Sequence, residues 1–401
     1  MEKVFEFRNY SWLFVCGALA AGEFAASRMS GASGLWIFCT FSAILIALFG
    51  YGVGVKGWHL VVVFFLGAAL YFHASMKDEE LFRLRPWMRE SVERLRRRPP
   101  SFAVATKLRR DLSKRVGIGL GDVHEVASLN RAILLGERRG ISPNARRAFV
   151  ESGAIHVFAI SGLHVMAIAR LLTFILCCSF VPRRFSGLLA IPILWLYIWA
   201  VGAPASAIRA GMMSTLCYLA PVFGRRPDGI MAWSLTFLIV HLFDPYKISD
   251  IGSVLSFAVM FSILVASKSG ESSGFSGALR IAVAAWVVGA PITAYHFGRL
   301  TPGGMLSSLA LIPSATISVS VGVAGLAASF ISPVVAAHLN RLSGLFTEAM
   351  AALANVLASL PFSNFETGRW TLSVCFLWYA FLGAALWISA YFRQKRRSRI
   401  L

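Results

Sequence analysis

The 401-residue sequence is poor in charge, and above all in acidic residues. Charged side chains make up 14% of it, whereas an ordinary soluble domain carries about 25%. Hydrophobic residues make up 57%, which excludes intrinsic disorder, because disorder needs low hydrophobicity and high charge. Asp and Glu number 19 against 39 Lys and Arg, so the formal net charge is +20. The composition therefore excludes an ordinary soluble domain and predicts a basic membrane protein.

Sequence signals of metal proteins and ATPases are also absent. The six cysteines lie in or beside apolar runs and show neither CxxC nor Cys/His spacing, so we expect no structural zinc site. No His-x-His-x-Asp-His cluster occurs, so a zinc-dependent nuclease activity is not expected either. A Walker-type phosphate loop is missing too, and any ATP-driven step must therefore come from another protein. We expect no cofactor, no metal and no enzymatic activity.

What the sequence has instead is a series of apolar runs long enough to cross a membrane as helices. Three of them form an N-terminal unit, residues 1–75, and the rest lie in a core, residues 152–392, which a basic tail follows at 393–401. The predicted fold class is all-α, a polytopic helical membrane protein with about ten to eleven transmembrane helices. The runs of the core lie at about 155–181, 185–201, 205–223, 229–243, 252–267, 279–297, 305–330, 334–360 and 372–392.

Residues 76–151 form a hydrophilic insertion that holds 18 of the 39 basic residues. Pro99 and Pro100 interrupt it. From Phe102 onward, apolar and basic residues alternate at helical spacing, which predicts an amphipathic helix lying on a membrane surface. Its basic side chains suit the phosphates of DNA or of anionic lipid head groups equally well. The candidate phosphate contacts are Arg94, Arg96, Arg97, Arg98, Lys107, Arg109, Arg110, Lys114 and Arg115.

The short loops predict the orientation, because cytoplasmic loops of membrane proteins are rich in Lys and Arg. Loops with basic residues (183–184, 225–226, 268–280) alternate with loops that carry almost none. We therefore expect a multi-pass membrane protein with the basic loops in the cytoplasm, which places the insertion outside. The side of the C-terminal tail stays open, because it depends on whether 334–360 spans.

The most informative stretch covers residues 136–165. Ser142 and Pro143 predict the start of a short helix, and Gly153 predicts its end. The spanning helix predicted next opens with polar and small residues in otherwise apolar sequence, where polar groups are costly unless they face a cavity or a partner. These residues are His156, Ser161, Gly162 and His164.

This stretch resembles the signature of the ComEC family of competence proteins, inner-membrane channels that admit single-stranded DNA during natural transformation. Three further segments resemble family motifs in the family's order: Gly-x-Pro-x-Ser…Arg-Ala…Met at 202–213, Asp-Pro…Leu-Ser-Phe at 244–257, and Pro…His-Phe-Gly at 291–298. Four ordered motifs make the resemblance specific. It implies a polar DNA conduit between helices, for which the candidates are His156, Ser161, Gly162, His164, Ser206, Arg209, Ser256 and His296.

The sequence also departs from the family pattern. Ser253 and Val254 stand where the family has Phe-Gln, and Ser308 stands where it has Asn. The family commonly carries an OB-like external domain and a metallo-β-lactamase-like nuclease domain, and we recognise neither pattern here. We therefore expect the channel core alone. The resemblance implies single-stranded DNA as the substrate and a cytoplasmic ATPase or helicase and a separate nuclease as partners. A homo-oligomer is compatible with it.

Plainer interpretations of the polar residues remain open. His156 and His164, eight residues apart on one predicted helix, can line a path or cap a neighbouring helix. Ser161 and His164, at i and i+3, can meet as a hydrolytic pair, although no acidic residue lies in the same span to orient the imidazole. Arg209 can contact phosphate or pair with a carboxylate such as Asp250. The rival functions are a transporter of a small anionic or lipid substrate and an intramembrane hydrolase.

Overall fold

A computed structural model describes residues 100–121, 124–243, 250–268, 274–360, 363–371, 373–375 and 377–382. Several sequence predictions lie outside these residues and are not described further. They are the three N-terminal spans, the candidate contacts Arg94, Arg96, Arg97 and Arg98, the Asp244-Pro245 pair and the basic tail.

The described chain is almost entirely helical. Two short 3₁₀ turns occupy Ile155–Phe158 and Ala220–Phe223, and two two-residue strands, β1 (Arg299–Leu300) and β2 (Phe365–Glu366), pair antiparallel. The α-helices are α1 (Pro100–Val116), α2 (His124–Leu135), α3 (Pro143–Glu151), α4 (Gly162–Cys178), α5 (Arg183–Ala200), α6 (Ala205–Leu219), α7 (Gly229–Phe243), α8 (Ile251–Lys268), α9 (Phe275–Phe297), α10 (Gly303–Ala328) and α11 (Pro333–Ala358).

These helices confirm the all-α class, and from α5 onward they match the predicted apolar runs within a few residues at most ends. The run at 155–181 differs, because it is not one helix. It begins with a 3₁₀ turn, passes through extended backbone at Ala159 and Ser161, and becomes helical at Gly162. His156 and His164 therefore do not lie on the same helix, and the prediction that they do is wrong.

Length and composition indicate membrane insertion for part of the described chain. Within it, α9 and α10 are long and apolar enough to cross a membrane, and several apolar helices are shorter. Large apolar side chains point outward, among them Phe174 on α4 (67% exposed) and Leu345 on α11 (61% exposed). Such a surface is costly in water and favourable in lipid. These features indicate a membrane protein, whereas the count of ten to eleven spans stays a prediction.

The second half of the insertion packs against the core helices. Leu112 and Val116 of α1 and Ile133 of α2 belong to the same buried cluster as Val165 of α4 and Leu311 of α10. The apolar face of α1, which we expected to lie on a membrane surface, is thus covered by the protein itself. Burying that face in the common cluster removes more apolar area from solvent than a one-sided surface contact would. The domain boundary at residue 151 stays a prediction.

The chain from the insertion to the start of the core contacts both ends of α10. At one end of this helix, Arg115 Nη1 donates a hydrogen bond to the Ser329 carbonyl at 2.7 Å. At the other end, Ser307 Oγ donates to the Ser152 carbonyl at 2.6 Å. Residues 115–152 therefore extend from one end of α10 to the other, while the external placement of the insertion stays a prediction.

A buried polar network holds α2 against α10 and α11. Asn130 is fully buried, and its Oδ1 accepts hydrogen bonds from Thr347 Oγ1 at 2.6 Å and from Ser343 Oγ at 3.4 Å. Ser318 Oγ lies 3.0 Å from Thr347 Oγ1. Where lipid and side chains are equally apolar, hydrogen bonds and close packing of small residues hold helices together. This network therefore fixes the position of α2 in the bundle.

We predict that Asn130→Ala lowers the free energy of unfolding by about 1–3 kcal/mol, because it removes the amide oxygen that accepts from the Thr347 and Ser343 hydroxyls and so breaks these side-chain hydrogen bonds between α2 and α11. Thermal unfolding of the detergent-solubilised protein measures this as a lower midpoint. Ser359→Ala is the matched control, since within the described chain the hydroxyl of this exposed serine bonds only to the Val356 carbonyl of its own helix. Equal midpoints for the two variants would contradict the role of the network.

Candidate functional site

The segment that leads into α4 is shaped by a capped helix and a glycine. Ser142 Oγ accepts a hydrogen bond from the Ala145 amide at 3.2 Å, so it caps α3 as predicted. Gly153, just beyond this helix, has φ +76°, a conformation that favours glycine. A Cβ added there would lie 3.0 Å from Gly304 Cα. The chain thus passes close to the start of α10 at a point where only glycine fits.

Ser161 and His164 meet at the start of α4, as their spacing predicted. The Ser161 backbone amide donates to His164 Nδ1 at 3.2 Å, and Ser161 Oγ lies 3.0 Å from the same nitrogen. A backbone amide can only donate, so Nδ1 accepts and the neutral imidazole carries its proton on Nε2. His164 is fully buried, and Nε2 has no hydrogen-bond partner among the described residues. The first turn of α4 therefore contains a buried donor without an acceptor.

The first turn of α6 lies against this segment. Ser206 Oγ donates to the Ile160 carbonyl at 2.6 Å, which satisfies a backbone acceptor of the extended connection. Gly162 faces the same helix, because a Cβ added to it would lie 3.6 Å from Ala210 Cβ. The N-terminal ends of α4 and α6 are therefore in direct contact.

Arg209 joins α6 to α8. Its side chain is buried, with 5% of the residue exposed. Its Nε donates to Ser256 Oγ at 3.1 Å, and its Nη2 donates to the Gly252 carbonyl at 2.9 Å. The predicted carboxylate Asp250 instead caps α8, where its Oδ2 accepts from the Ser253 amide at 2.9 Å. Arg209 thus bonds directly to a hydroxyl and a carbonyl of the neighbouring helix.

These contacts define the N-terminal junction, where the N-terminal part of α6 contacts both the start of α4 and the N-terminal part of α8. Unsatisfied amides make a helix N-terminus electropositive, equivalent to about half a positive charge, and such ends bind anions. The N-terminal ends of α4 and α6 and one guanidinium make the junction rich in donors, whereas the Asp250 carboxylate caps the end of α8. The predicted site residues that it brings together are Ser161, Gly162, His164, Ser206, Arg209 and Ser256.

Two predicted conduit residues are exposed and make no hydrogen bond to the N-terminal junction among the described residues. His156 is exposed on the 3₁₀ turn, where its Nδ1 lies 3.2 Å from the Gly153 carbonyl and donates to it. His296 is exposed in the last turn of α9, edge-on against Tyr295.

The candidate phosphate contacts on α1 divide into two groups. Arg109 Nη2 donates to the Leu135 carbonyl at 2.8 Å, and the Arg115 guanidinium stacks 4.0 Å from the centre of the Phe330 ring. These two arginines join helices. The other three are exposed at i, i+3 and i+7, a spacing that places them on one face of the helix. They are Lys107, Arg110 and Lys114.

An aromatic cluster beside Arg209 was not predicted. Trp233, Phe237 and His241 lie on α7 and pack against Phe257 of α8, and Trp233 Nε1 donates to the Phe257 carbonyl at 3.0 Å. The Arg209 guanidinium is 5.6 Å from the Phe257 ring. The i, i+4, i+8 spacing of the three α7 residues is the signal that would have identified this face.

The junction contains no metal site that the described residues can form. Within the described ranges, no group of three His, Cys, Asp or Glu side chains is close enough to hold an ion. His164 also makes no hydrogen bond to a carboxylate there, so the third member of a Ser-His-Asp arrangement is not present in the described chain.

Comparisons with known proteins identify competence proteins as similar in sequence to this chain. A family model described as competence protein matches residues 133–391. ComE operon protein 3 of Bacillus subtilis is 30% identical over 194 residues, which are 48% of this chain and 25% of that protein. Competence protein ComA of Neisseria gonorrhoeae is 31% identical over 157 residues, 36% of this chain and 22% of that protein. The matches cover less than half the length of these relatives, and no solved structure matches significantly.

We predict that Gly153→Ala destabilises the protein by at least about 1 kcal/mol, because alanine is strained at positive φ and its Cβ would press on Gly304. We expect a lower midpoint temperature when thermal unfolding of the variant is measured in detergent. Gly121→Ala is the control, since Gly121 has no positive φ and nothing within 4 Å of an added Cβ. If Gly121→Ala lowers the midpoint as much, the close approach at Gly153 is not the cause.

Proposed function

We propose, since the chain belongs to the ComEC family of competence proteins, that it forms a channel through which single-stranded DNA crosses the bacterial inner membrane during natural transformation. The N-terminal junction is the observation that carries this proposal. It gathers residues from three of the four family-like motifs: Ser161, His164, Ser206, Arg209 and Ser256.

The chemistry of the junction suits a polyanion. Interrupted helices whose N-terminal ends lie within a membrane point those positive ends at anionic groups. Arg209 uses Nε and one Nη in the contacts described above, and a guanidinium has further N–H donors that can fork onto phosphate oxygens. The buried Nε2–H of His164 is one more donor. Such contacts position a phosphate backbone without reading its sequence.

The remaining parts of the proposal follow from the family and from the lack of an ATPase motif. We propose a multi-pass arrangement of ten to eleven spans, with no catalytic activity and no cofactor of its own. A cytoplasmic ATPase or helicase would pull the strand, and a separate nuclease would supply it from duplex DNA. Contact with anionic lipid and assembly into a homo-oligomer belong to the same proposal.

One observation favours a second candidate, an intramembrane hydrolase. Ser161 Oγ is 3.0 Å from His164 Nδ1, which is within reach for activation of a nucleophile. The same nitrogen, however, also accepts the Ser161 amide, and no carboxylate orients the ring in the described chain. A transporter of a small anion would use the same donors as the DNA channel, so substrate assays must separate those two functions.

We predict that Arg209→Gln lowers uptake of labelled DNA by about tenfold or more, because it removes a charged donor whose loss costs about 1.5–3 kcal/mol. Uptake is measured in a transformable host whose own family member has been replaced by this chain. Arg138→Gln is the control, an exposed arginine of the first motif. Immunoblots must show equal amounts in the membrane. Wild-type uptake with Arg209→Gln would overturn this assignment, and wild-type transformation without the gene would overturn the function.

Ser161→Ala separates the channel from the hydrolase. In the channel, Ser161 contributes a hydroxyl, while its backbone amide still holds His164, so we expect uptake within about threefold of wild type, the loss of one neutral hydrogen bond. A hydrolase would lose its nucleophile and fall by orders of magnitude. Loss of uptake with normal membrane insertion would therefore favour the enzyme.

A further inference from the structure

An open cleft of about 570 Å³, apart from the N-terminal junction, lies between α3 and the paired strands β1 and β2. Its two walls come from distant parts of the sequence, since α3 belongs to the first family-like motif and β1 directly follows the fourth. Neither wall contributes to the contacts of the junction. The charged residues that line the cleft are Arg146, Arg147, Glu151, Arg299 and Glu366.

The three arginines of the cleft keep donors available. Arg147 Nε bonds Glu151 Oε1 at 2.7 Å, and Arg299 Nη2 bonds Glu366 Oε1 at 2.9 Å. Each bond uses one of five guanidinium N–H groups. The Arg147 and Glu366 side chains are 79% and 76% exposed, and ion pairs so exposed to water are weak. Arg146 is exposed and makes no side-chain hydrogen bond or ion pair within the described chain.

The shape and the polar groups of the cleft favour binding of a single extended strand over contact with a flat membrane surface. An anionic membrane surface would bring its charges against Glu151 and Glu366 as well as the arginines, whereas a single extended chain can enter the cleft and place one phosphate among the guanidinium groups.

We infer that this cleft binds a phosphodiester group of single-stranded DNA, through Arg146, Arg147 and Arg299. The inference rests on the proposed function and adds a second contact on the path of the strand, with Arg146 and Arg147 fifteen and fourteen residues before Ser161 in sequence. Glu151 and Glu366 compete with the phosphate for two of the arginines. This competition keeps the contact weak, which a moving strand requires, because conduction needs each binding site to release its occupant.

Binding is tested with the purified full chain in nanodiscs of neutral lipid and a short fluorescent oligothymidylate, by anisotropy. We expect Arg146→Gln combined with Arg299→Gln to raise Kd about fivefold to tenfold and to reduce the slope of log Kd against log salt by about 0.7, the value for one phosphate contact of a single strand. Arg138→Gln combined with Arg139→Gln is the matched control. It removes the same charge from exposed positions of the first motif that do not line the cleft, and it should leave Kd within about twofold.

A third variant tests the direction of the effect. Glu366→Gln breaks the same ion pair as Arg299→Gln but frees the arginine, so we expect binding to become about twofold to fivefold tighter. A fold disturbed by loss of the ion pair would weaken binding in both variants. Opposite signs therefore support a direct phosphate contact, and weakening in both overturns it.

The remaining outcomes are equally decisive. Equal Kd for the cleft variant and its control overturns the cleft and leaves the proposed function standing, provided that Arg209→Gln still weakens binding. If the cleft variant loses binding to phosphatidylglycerol vesicles and keeps binding to the oligonucleotide, the phosphate partner is a lipid and the DNA assignment is wrong. If the wild-type chain binds no oligonucleotide, both the inference and the proposed function fail.

Discussion

Hydrogen bonds between buried polar groups of neighbouring helices are the interaction on which the described structure depends. A bundle with an apolar exterior gains little from burying more apolar side chains, because lipid is as apolar as they are. The positions of the helices relative to one another are instead set by hydrogen bonds, such as those from Thr347 Oγ1 to Asn130 Oδ1 and from Ser307 Oγ to the Ser152 carbonyl. The first holds α2 against α11, and the second holds the segment that follows α3 against α10. Breaking either one removes a buried hydrogen bond between distant parts of the chain.

The interruption before α4 is the local feature that connects this scaffold to the proposed function. A continuous helix would have hidden its backbone amides, whereas the extended connection leaves amides and carbonyls that need partners. The Ser206 hydroxyl satisfies the Ile160 carbonyl, and the His164 ring accepts the Ser161 amide. The same contacts bring the electropositive ends of α4 and α6 together and leave the Nε2–H of His164 without an acceptor in the part of the chain that the structure describes. The hydrogen bonds that satisfy the backbone groups of the extended connection therefore also position the donors that we propose to face the DNA backbone.

The basic residues have different tasks, although composition alone treats them as one group. Arg115 donates to a backbone carbonyl of another helix and holds the fold, while Arg209 does the same with part of its donors and has others for the phosphate that we propose. Arg146, on α3, has exposed donors, and the cleft beside it is the place where we propose a second phosphate contact. A guanidinium can serve either purpose because its five donors point in fixed directions, and its surroundings decide which acceptor they meet.

The sequence by itself determined where most described helices begin and end, because apolar runs, Ser142-Pro143 and Gly153 act through local geometry. It also identified the i, i+3 pair Ser161 and His164 and the family resemblance that the comparisons confirmed. Only the tertiary structure decided that the apolar face of α1 is covered by other helices and that Arg209 bonds the Gly252 carbonyl 43 residues away. Such pairings depend on which helices become neighbours in the fold. The spacing of residues within one segment does not predict which residue of a distant segment will bond to them.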